Sequence, residues 1–257
     1  MVLSTAIDMH PFETSYSSKG AKREYIRYKI NGVSDMQNLT DNSYVLILPD
    51  FLTTPVCQGL QREMGDYHDT FNERPTVKVF GKEYKVPRGQ VAFGDGLYSY
   101  SNLTVEAQPM PKYTTSLTHN INCMVDKDKV IYNFVLVNEY KNGQDKVGKH
   151  TDDERSLDPH YPIMSYSLGA TRRFIIRPSR GTKLHSHFAP STSKTVPLWL
   201  KKFPTEKVTF EIALENNMLM TMGDAFQKEF THEVPRESHV HKPRWNFTFR
   251  ALHSNTK

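Results

Sequence analysis

Arg244-Trp245-Asn246-Phe247-Thr248-Phe249-Arg250 alternates polar or charged side chains with aromatic ones over seven residues. Successive side chains on a β-strand point to opposite faces. Arg244, Asn246, Thr248 and Arg250 therefore form one face and Trp245, Phe247 and Phe249 the other. The aromatic face packs and the polar face binds. A row of hydrogen-bonding groups ended by two arginines suits a small dianion, because a planar guanidinium takes a carboxylate through two parallel hydrogen bonds. The strand implies a dicarboxylate held inside a β structure. At a rise of about 3.3 Å per residue the Cα atoms of the two arginines lie up to roughly 20 Å apart, so they cannot grip one carboxylate side by side.

His150-Thr151-Asp152 and the later His232 supply two imidazoles and a carboxylate. This is the ligand set of the facial triad of non-haem Fe(II) oxygenases, which leaves coordination positions open. His150 and Asp152 share a face if that segment is extended. In a chain with eleven histidines a chance His-x-Asp is common, and His232 alone reads equally as a solvated loop histidine. The surrounding motifs carry the weight.

Those motifs run in order: Asn133-Phe134-Val135-Leu136-Val137-Asn138-Glu139-Tyr140, His150-Thr151-Asp152-Asp153-Glu154, Pro162-Ile163 through Ser165, Ser167, Gly169 and Ala170, His232, and Arg244-x-Asn246-x-Thr248-Phe249-Arg250. Together they resemble the AlkB family of Fe(II)- and 2-oxoglutarate-dependent dioxygenases, over about residues 44 to 253. Val79-Phe80-Gly81-Lys82, Val86-Pro87-Arg88, Gly94-Asp95 and Gly96-Leu97-Tyr98-Ser99-Tyr100-Ser101 bring the likeness closest to the branch that repairs alkylated double-stranded DNA. The resemblance implies a mainly β fold with flanking helices around a double-stranded β-helix, or jelly roll. It implies Fe(II) on His150, Asp152 and His232. It also implies 2-oxoglutarate bound by Asn138, Tyr140, Arg244, Asn246, Thr248 and Arg250, the two arginines at opposite ends of its site.

The reaction implied is oxidative decarboxylation of 2-oxoglutarate to succinate and CO2, coupled to hydroxylation of an N-alkyl group on bases such as 1-methyladenine or 3-methylcytosine and release of an aldehyde. A stacked base cannot reach a buried metal, so the enzyme must extrude it from the duplex. Phe80, with Gly81 and Lys82, resembles the family's intercalating finger, a device that wedges an apolar side chain between base steps; an ordinary core phenylalanine is the other reading. Tyr98, Ser99 and Tyr100 match a lesion-pocket segment, with Tyr where the duplex-repair relative has Phe at position 100. Asp153 and Glu154 either favour a cationic methylated base over a neutral one or form a solvated acidic turn. The fold leaves the substrate open, so an RNA or protein demethylase with the same iron chemistry is the alternative.

Composition agrees with this reading without deciding it. The chain has 257 residues, a length suited to a single β-rich domain, and 33 Lys and Arg against 28 Asp and Glu. The basic excess predicts affinity for polyanions such as DNA. Cys57 and Cys123 provide no disulfide framework and fit a reducing compartment. No stretch reads as a membrane span or secretory leader, so the expectation is a monomer inside the cell, in the nucleus if the cell is eukaryotic. Residues 1–43 read as a tail that is partly disordered, with a possible edge strand over Glu24–Ile30, and residues 44–257 as the catalytic domain. Helices are expected from Thr53-Thr54-Pro55 to about Gly65 and within Lys112–Cys123. Strands are expected at 44–48, 76–80, 83–86, 132–140, 162–168, 172–177, 206–213, 217–222 and 244–251. The Met218, Met220 and Met222 stripe reads as core. Between Arg177 and Val208 lies a basic insertion, with Arg180, Lys183, Lys194, Lys201, Lys202 and Lys207, that reads as a DNA clamp or as a surface excursion. His185 and His187 within it lack a third metal partner.

Overall fold

The computed structural model describes residues 9–12, 27–30, 35–79, 81–100, 103–126, 128–184, 200–203 and 209–253. Strands β1 (Met9–Phe12) and β2 (Arg27–Ile30) pair as a hairpin, and β3 (Asp35–Asn38) precedes β4 (Ser43–Leu48). Helices α1 (Thr54–Asp66) and α2 (His68–Asn72) lead to β5 (Thr76–Val79), β6 (Lys82–Lys85), β7 (Gly89–Gly94), β8 (Leu97–Tyr100) and β9 (Leu103–Glu106). After α3 (Lys112–Val125) the chain is almost all strand. It continues through β10 (Phe134–Tyr140), β11 (Val147–His150), β12 (Ile163–Gly169), β13 (Arg172–Pro178), β14 (Leu200–Phe203), β15 (Thr209–Leu214) and β16 (Met218–Asp224). A short helix α4 (Phe226–Glu229) then precedes β17 (Phe230–Val234) and β18 (Arg244–Arg250).

Two antiparallel sheets build the core. One has seven strands in the order β3-β4-β16-β12-β18-β10-β7 and the other five in the order β11-β17-β13-β15-β14. The deciding strand, β18, lies between β10 and β12, with Asn246 opposite both Asn138 and Ser167. Cross-strand partners share a face, so the polar row of β18 joins Asn138 and Tyr140 of β10 and Ser165 and Ser167 of β12 inside the jelly roll. The aromatic row turns outward and packs with Leu60 and Met64 of α1 and Leu117 and Ile121 of α3. Between the sheets, Met218, Met220 and Met222 pack with Phe174, Ile176, Phe210 and Ile212, which places the methionine stripe in the core.

Several expected boundaries shift. Strands β1, β2 and β3 all precede Tyr44, and β3 (Asp35–Asn38) adds to the edge of the seven-stranded sheet. Thr53 occupies the N-cap of α1 but makes no side-chain cap bond; its carbonyl accepts from Val56 and Cys57 instead. Part of the basic insertion is sheet: Leu200–Phe203, carrying Lys201 and Lys202, is edge strand β14 against β15. Lys194, Lys207, His185 and His187 lie outside the described residues. Strand β7 was not expected, since Gly at both ends hides it, yet Gly94 needs its φ of 117° and a Cβ there would collide with the Asn133 carbonyl. Phe134 and Leu136 share the face of β10 that carries Asn138 and Tyr140. Register places Phe134 opposite Arg250, and both apolar residues pack under Tyr98. Among the described residues no helix is long and apolar enough to cross a membrane.

Candidate metal centre

Sheet pairing brings the two histidines together. β11 pairs with β17 so that His150 faces His232, and their rings lie 4.2 Å apart between centroids. Asp152 follows two residues beyond the end of β11. One ligand atom from each of His150, Asp152 and His232 falls within 4.8 Å of the others, two nitrogens and one oxygen. Hydrogen bonds hold His150 and Asp152 from behind, and ring packing holds His232. His150 Nδ1 donates to the Gly148 carbonyl at 2.8 Å, which leaves Nε2 free to coordinate. His232 packs against the rings of Phe174 and Phe226. The Asp152 backbone N–H donates to Gln227 Oε1 at 3.0 Å.

The electrostatics match the protonation states that a divalent metal needs, neutral imidazole and ionised carboxylate. Burial and the neighbouring His232 push the His150 imidazole down to about 4. Burial alone would raise Asp152, but the Arg250 guanidinium, at 2.9 Å from Oδ1, and His232 hold its carboxyl well below the usual range. Burial likewise opposes the Arg250 charge, and Tyr98 and Asp152 overcome it, so this guanidinium is held protonated beyond its ordinary value. A cleft bounded by Glu154, Leu157, Met222 and Gln227 reaches Asp152 and Arg250.

The two arginines of β18 differ in their partners. Arg250 lies 4.8 Å over the Tyr98 ring and is engaged by Asp152. Arg244, fully buried, donates through Nη2 to Ser167 Oγ at 2.9 Å and lies 5.3 Å over the Tyr140 ring. Its Nε and Nη1 have no partner among the described residues. Burial lowers the Arg244 guanidinium to about 10. A buried cation with two orphaned donors fits a carboxylate that arrives with a ligand, because unpaired buried donors are otherwise costly. Asn246 donates to Ser165 Oγ and the Tyr166 carbonyl, and Thr248 Oγ1 lies 3.4 Å from Asn246 Oδ1. Asn138 Oδ1 accepts from Arg88 Nε at 2.7 Å and Gln90 Nε2 at 2.9 Å.

The expected substrate residues divide. Tyr98 is buried beneath Arg250, and Glu154 sits beside it with its carboxyl raised by burial and by the charge of Asp152. Asp153 is exposed. Ser99 points away from this cluster and pairs with Thr104 at 2.8 Å on the exposed β8–β9 hairpin. Gly81 turns the β5–β6 hairpin at φ 79°, next to exposed Lys82. Phe80 and the side chain of Tyr100 lie outside the described residues. Roles for Arg88, Gln90, Ser165, Ser167 and Gln227 escaped sequence reading. Ser165 and Ser167 carry a period-2 signal in β12, whereas Arg88, Gln90 and Gln227 reach their partners only through tertiary packing.

A two-histidine, one-carboxylate centre inside a double-stranded β-helix, with Arg250 on its carboxylate and a second buried guanidinium, Arg244, six residues along the same strand, defines an Fe(II)- and 2-oxoglutarate-dependent oxygenase. The family described as the 2OG-Fe(II) oxygenase superfamily matches residues 45–250. Human DNA oxidative demethylase ALKBH2 is 32% identical over 217 residues, 82% of this chain and 73% of that protein. The mouse protein of that name is 37% identical over 180 residues, covering 68% and 66%. Human alpha-ketoglutarate-dependent dioxygenase alkB homolog 3 is 31% identical over 174 residues, covering 68% and 54%. The solved structure of OsALKBH1 superposes with a TM-score of 0.52 at 17% identity, over 84% of this chain and 99% of that one, a likeness of fold. The chain belongs to the AlkB family of Fe(II)- and 2-oxoglutarate-dependent dioxygenases, on the side of the ALKBH2 branch.

Proposed function

We propose that this protein repairs DNA by oxidative dealkylation of N-alkylated bases of the 1-methyladenine and 3-methylcytosine type. The observation that carries the reading is the His150–Asp152–His232 cluster, engaged by Arg250, on a strand that also holds a buried Arg244 whose Nε and Nη1 have no partner among the described residues. Relatives that carry the name DNA oxidative demethylase favour DNA over the alternative of an RNA or protein substrate. With Fe(II), O2 and 2-oxoglutarate bound, the site supplies an oxidant able to hydroxylate an N-alkyl group. The protein's share is binding, orientation and electrostatics.

His150, Asp152 and His232 would hold the metal. Arg250 sits at the metal end of the pocket, next to Asp152, and Arg244 lies six residues along the same strand. The keto-acid end of the cosubstrate belongs at the metal. Its distal carboxylate then falls to Arg244 and Tyr140, with Asn138, Asn246 and Thr248 lining the path between. Tyr98, Glu154 and Asp153 border the side from which the damaged base enters. Glu154, its carboxyl raised, sits where a proton can be held or released against the base edge.

Duplex DNA is the preferred form of the substrate in this reading, with Phe80 as the wedge beside Gly81 and Lys82 and a formal net charge of +5 favouring the polyanion. The protein acts as a monomer, and in the nucleus if its cell is eukaryotic. Residues 44–257 form the catalytic domain, extended by β3. The test is incubation with Fe(II), 2-oxoglutarate and oligonucleotides carrying 1-methyladenine or 3-methylcytosine, single- and double-stranded. Succinate and formaldehyde released in step with restored bases are the expected result; succinate without base restoration on any DNA substrate would overturn the choice of DNA.

A further inference from the structure

Arg172, at the start of β13, is 1% exposed, and none of the sequence motifs gave it a role. Its guanidinium lies 5.4 Å over the Tyr140 ring, and the Arg244 guanidinium lies 5.3 Å over the same ring. One aromatic side chain is thus within cation–π range of two buried cations. The two are partnered in opposite ways. Arg172 Nε donates to Glu237 Oε2 at 2.9 Å, Nη1 to the Asn142 carbonyl, and Nη2 to the carbonyls of Asp145 and Pro235. Its donors are committed to the protein. Arg244 keeps Nε and Nη1 without partners among the described residues.

The clamp around Arg172 is itself anchored. Asp145 takes both arms of Arg74 at 2.7 and 2.8 Å and the Lys141 N–H at 2.8 Å. Glu237 also accepts the Arg173 N–H, and the Glu237 N–H donates to the Gly143 carbonyl. A Cβ at Gly143 would collide with the Glu237 carbonyl, so glycine permits the two loops to close over the guanidinium. Glu237 offsets the charge of Arg172, so the second cation steadies the ring without drawing a ligand to itself.

We propose that Arg172 is a positioning residue for the distal carboxylate of 2-oxoglutarate, its clamped guanidinium fixing the Tyr140 ring against Arg244 so that the two free donors of Arg244 stay preorganised. This rests on the reading that Arg244 takes that carboxylate. Preorganisation raises affinity by removing the ordering cost at binding, and here it acts only on the end of the ligand remote from the metal.

That locality gives the test. Pyruvate has the same keto-acid head as 2-oxoglutarate and no distal carboxylate. Arg172→Lys keeps the charge beside Glu237 but loses the planar fork. Binding is measured by calorimetry on the full chain without oxygen, with Mn(II) in place of iron. The expected result is a Kd for 2-oxoglutarate raised about tenfold, equivalent to about 1.4 kcal/mol, with Kd for pyruvate and for Mn(II) within about twofold. Equal loss of both keto acids, or no loss of either, would overturn the proposal. If Arg172→Lys does not fold, the double variant Arg172→Met/Glu237→Met removes the buried pair together, a change such pairs often tolerate, and should show the same selective loss; a non-selective loss or none overturns the proposal equally. Arg244→Met separates the two levels. If it leaves the preference for 2-oxoglutarate over pyruvate intact, the reading of the site fails. If it abolishes the preference while the Arg172 variants retain it, the role of Arg172 alone fails.

Discussion

Replacing Arg244 by Met should make the cosubstrate-free protein more stable while leaving 2-oxoglutarate almost unbound. The wild-type guanidinium is fully buried with Nε and Nη1 unpaired, and each unsatisfied buried donor costs about 1–3 kcal/mol, so relief amounts to about 2–6 kcal/mol. Against this stand the Ser167 hydrogen bond, about 1 kcal/mol, and the stack on Tyr140, about 2 kcal/mol when desolvated. Methionine fills the volume and keeps a favourable sulfur–aromatic contact. At the middle of that range the balance favours the variant by about 1 kcal/mol, which for a chain of this size raises Tm by roughly 2–4 °C. Binding moves the other way. Two charged hydrogen bonds to the distal carboxylate disappear, about 1.5–3 kcal/mol each, so affinity should fall by a hundredfold or more. Thermal unfolding without cosubstrate and calorimetry with it give the two numbers. A lower Tm together with an affinity within about twofold of wild type would refute the reasoning, because it would make Arg244 a structural cation and move the dicarboxylate elsewhere.

His150→Ala, Asp152→Ala and His232→Ala should each abolish succinate release, since an open-faced centre does not survive loss of a ligand; near-normal turnover in a folded variant removes that residue from the centre. Burial raises the Glu139 carboxyl, with Lys141 and His68 opposing in part, so the folded state holds this proton to higher pH than the unfolded chain and loses stability as pH rises through the folded value. Glu139→Gln should therefore raise Tm at about pH 8 and change it little near about pH 4, and equal gains at both would refute a charge effect. Phe80→Ala should slow repair of a methylated base in duplex DNA by about ten- to a hundredfold, in line with about 1–3 kcal/mol for aromatic stacking, and leave the same lesion in a single strand nearly untouched. Equal loss on both substrates would make Phe80 part of the core.

What could be read in the sequence was whatever a short segment encodes by itself. The period-2 alternation of Arg244–Arg250 determines which residues share the interior face, because the pleat allows no other assignment. The aromatic face packs under α1 and α3, and the polar face is buried as well, lining the interior of the jelly roll. The distance between His150 and His232 in sequence hides a direct cross-strand pairing, which only the β11–β17 register reveals. Strand β11 was missed because Val147-Gly148-Lys149-His150 is short, mostly polar and irregular in its pairing. Arg172 carried no local signal at all. It opens a strand beside a second arginine, Arg173, whose side chain is exposed, and nothing in the sequence separates the buried cation from the solvated one.

The two arginines of β18 share a face, a strand and a sequence motif, yet their surroundings assign them different work. At Arg250 the protein supplies the counter-ion itself: Asp152 meets the guanidinium at 2.9 Å, so this arginine steadies a metal ligand as well as bordering the pocket. At Arg244 it supplies a serine hydroxyl and the Tyr140 side chain, and leaves Nε and Nη1 without partners among the described residues. A buried charge is tolerable when paired and costly when not, so the unpaired one marks where a ligand must bring the missing anion. In the proposed reading the protein itself supplies the anion at the metal end, and the cosubstrate would supply it at the far end. On that reading affinity for 2-oxoglutarate would depend most on the end that does no chemistry, as expected where binding energy from a remote group serves to orient the reacting one.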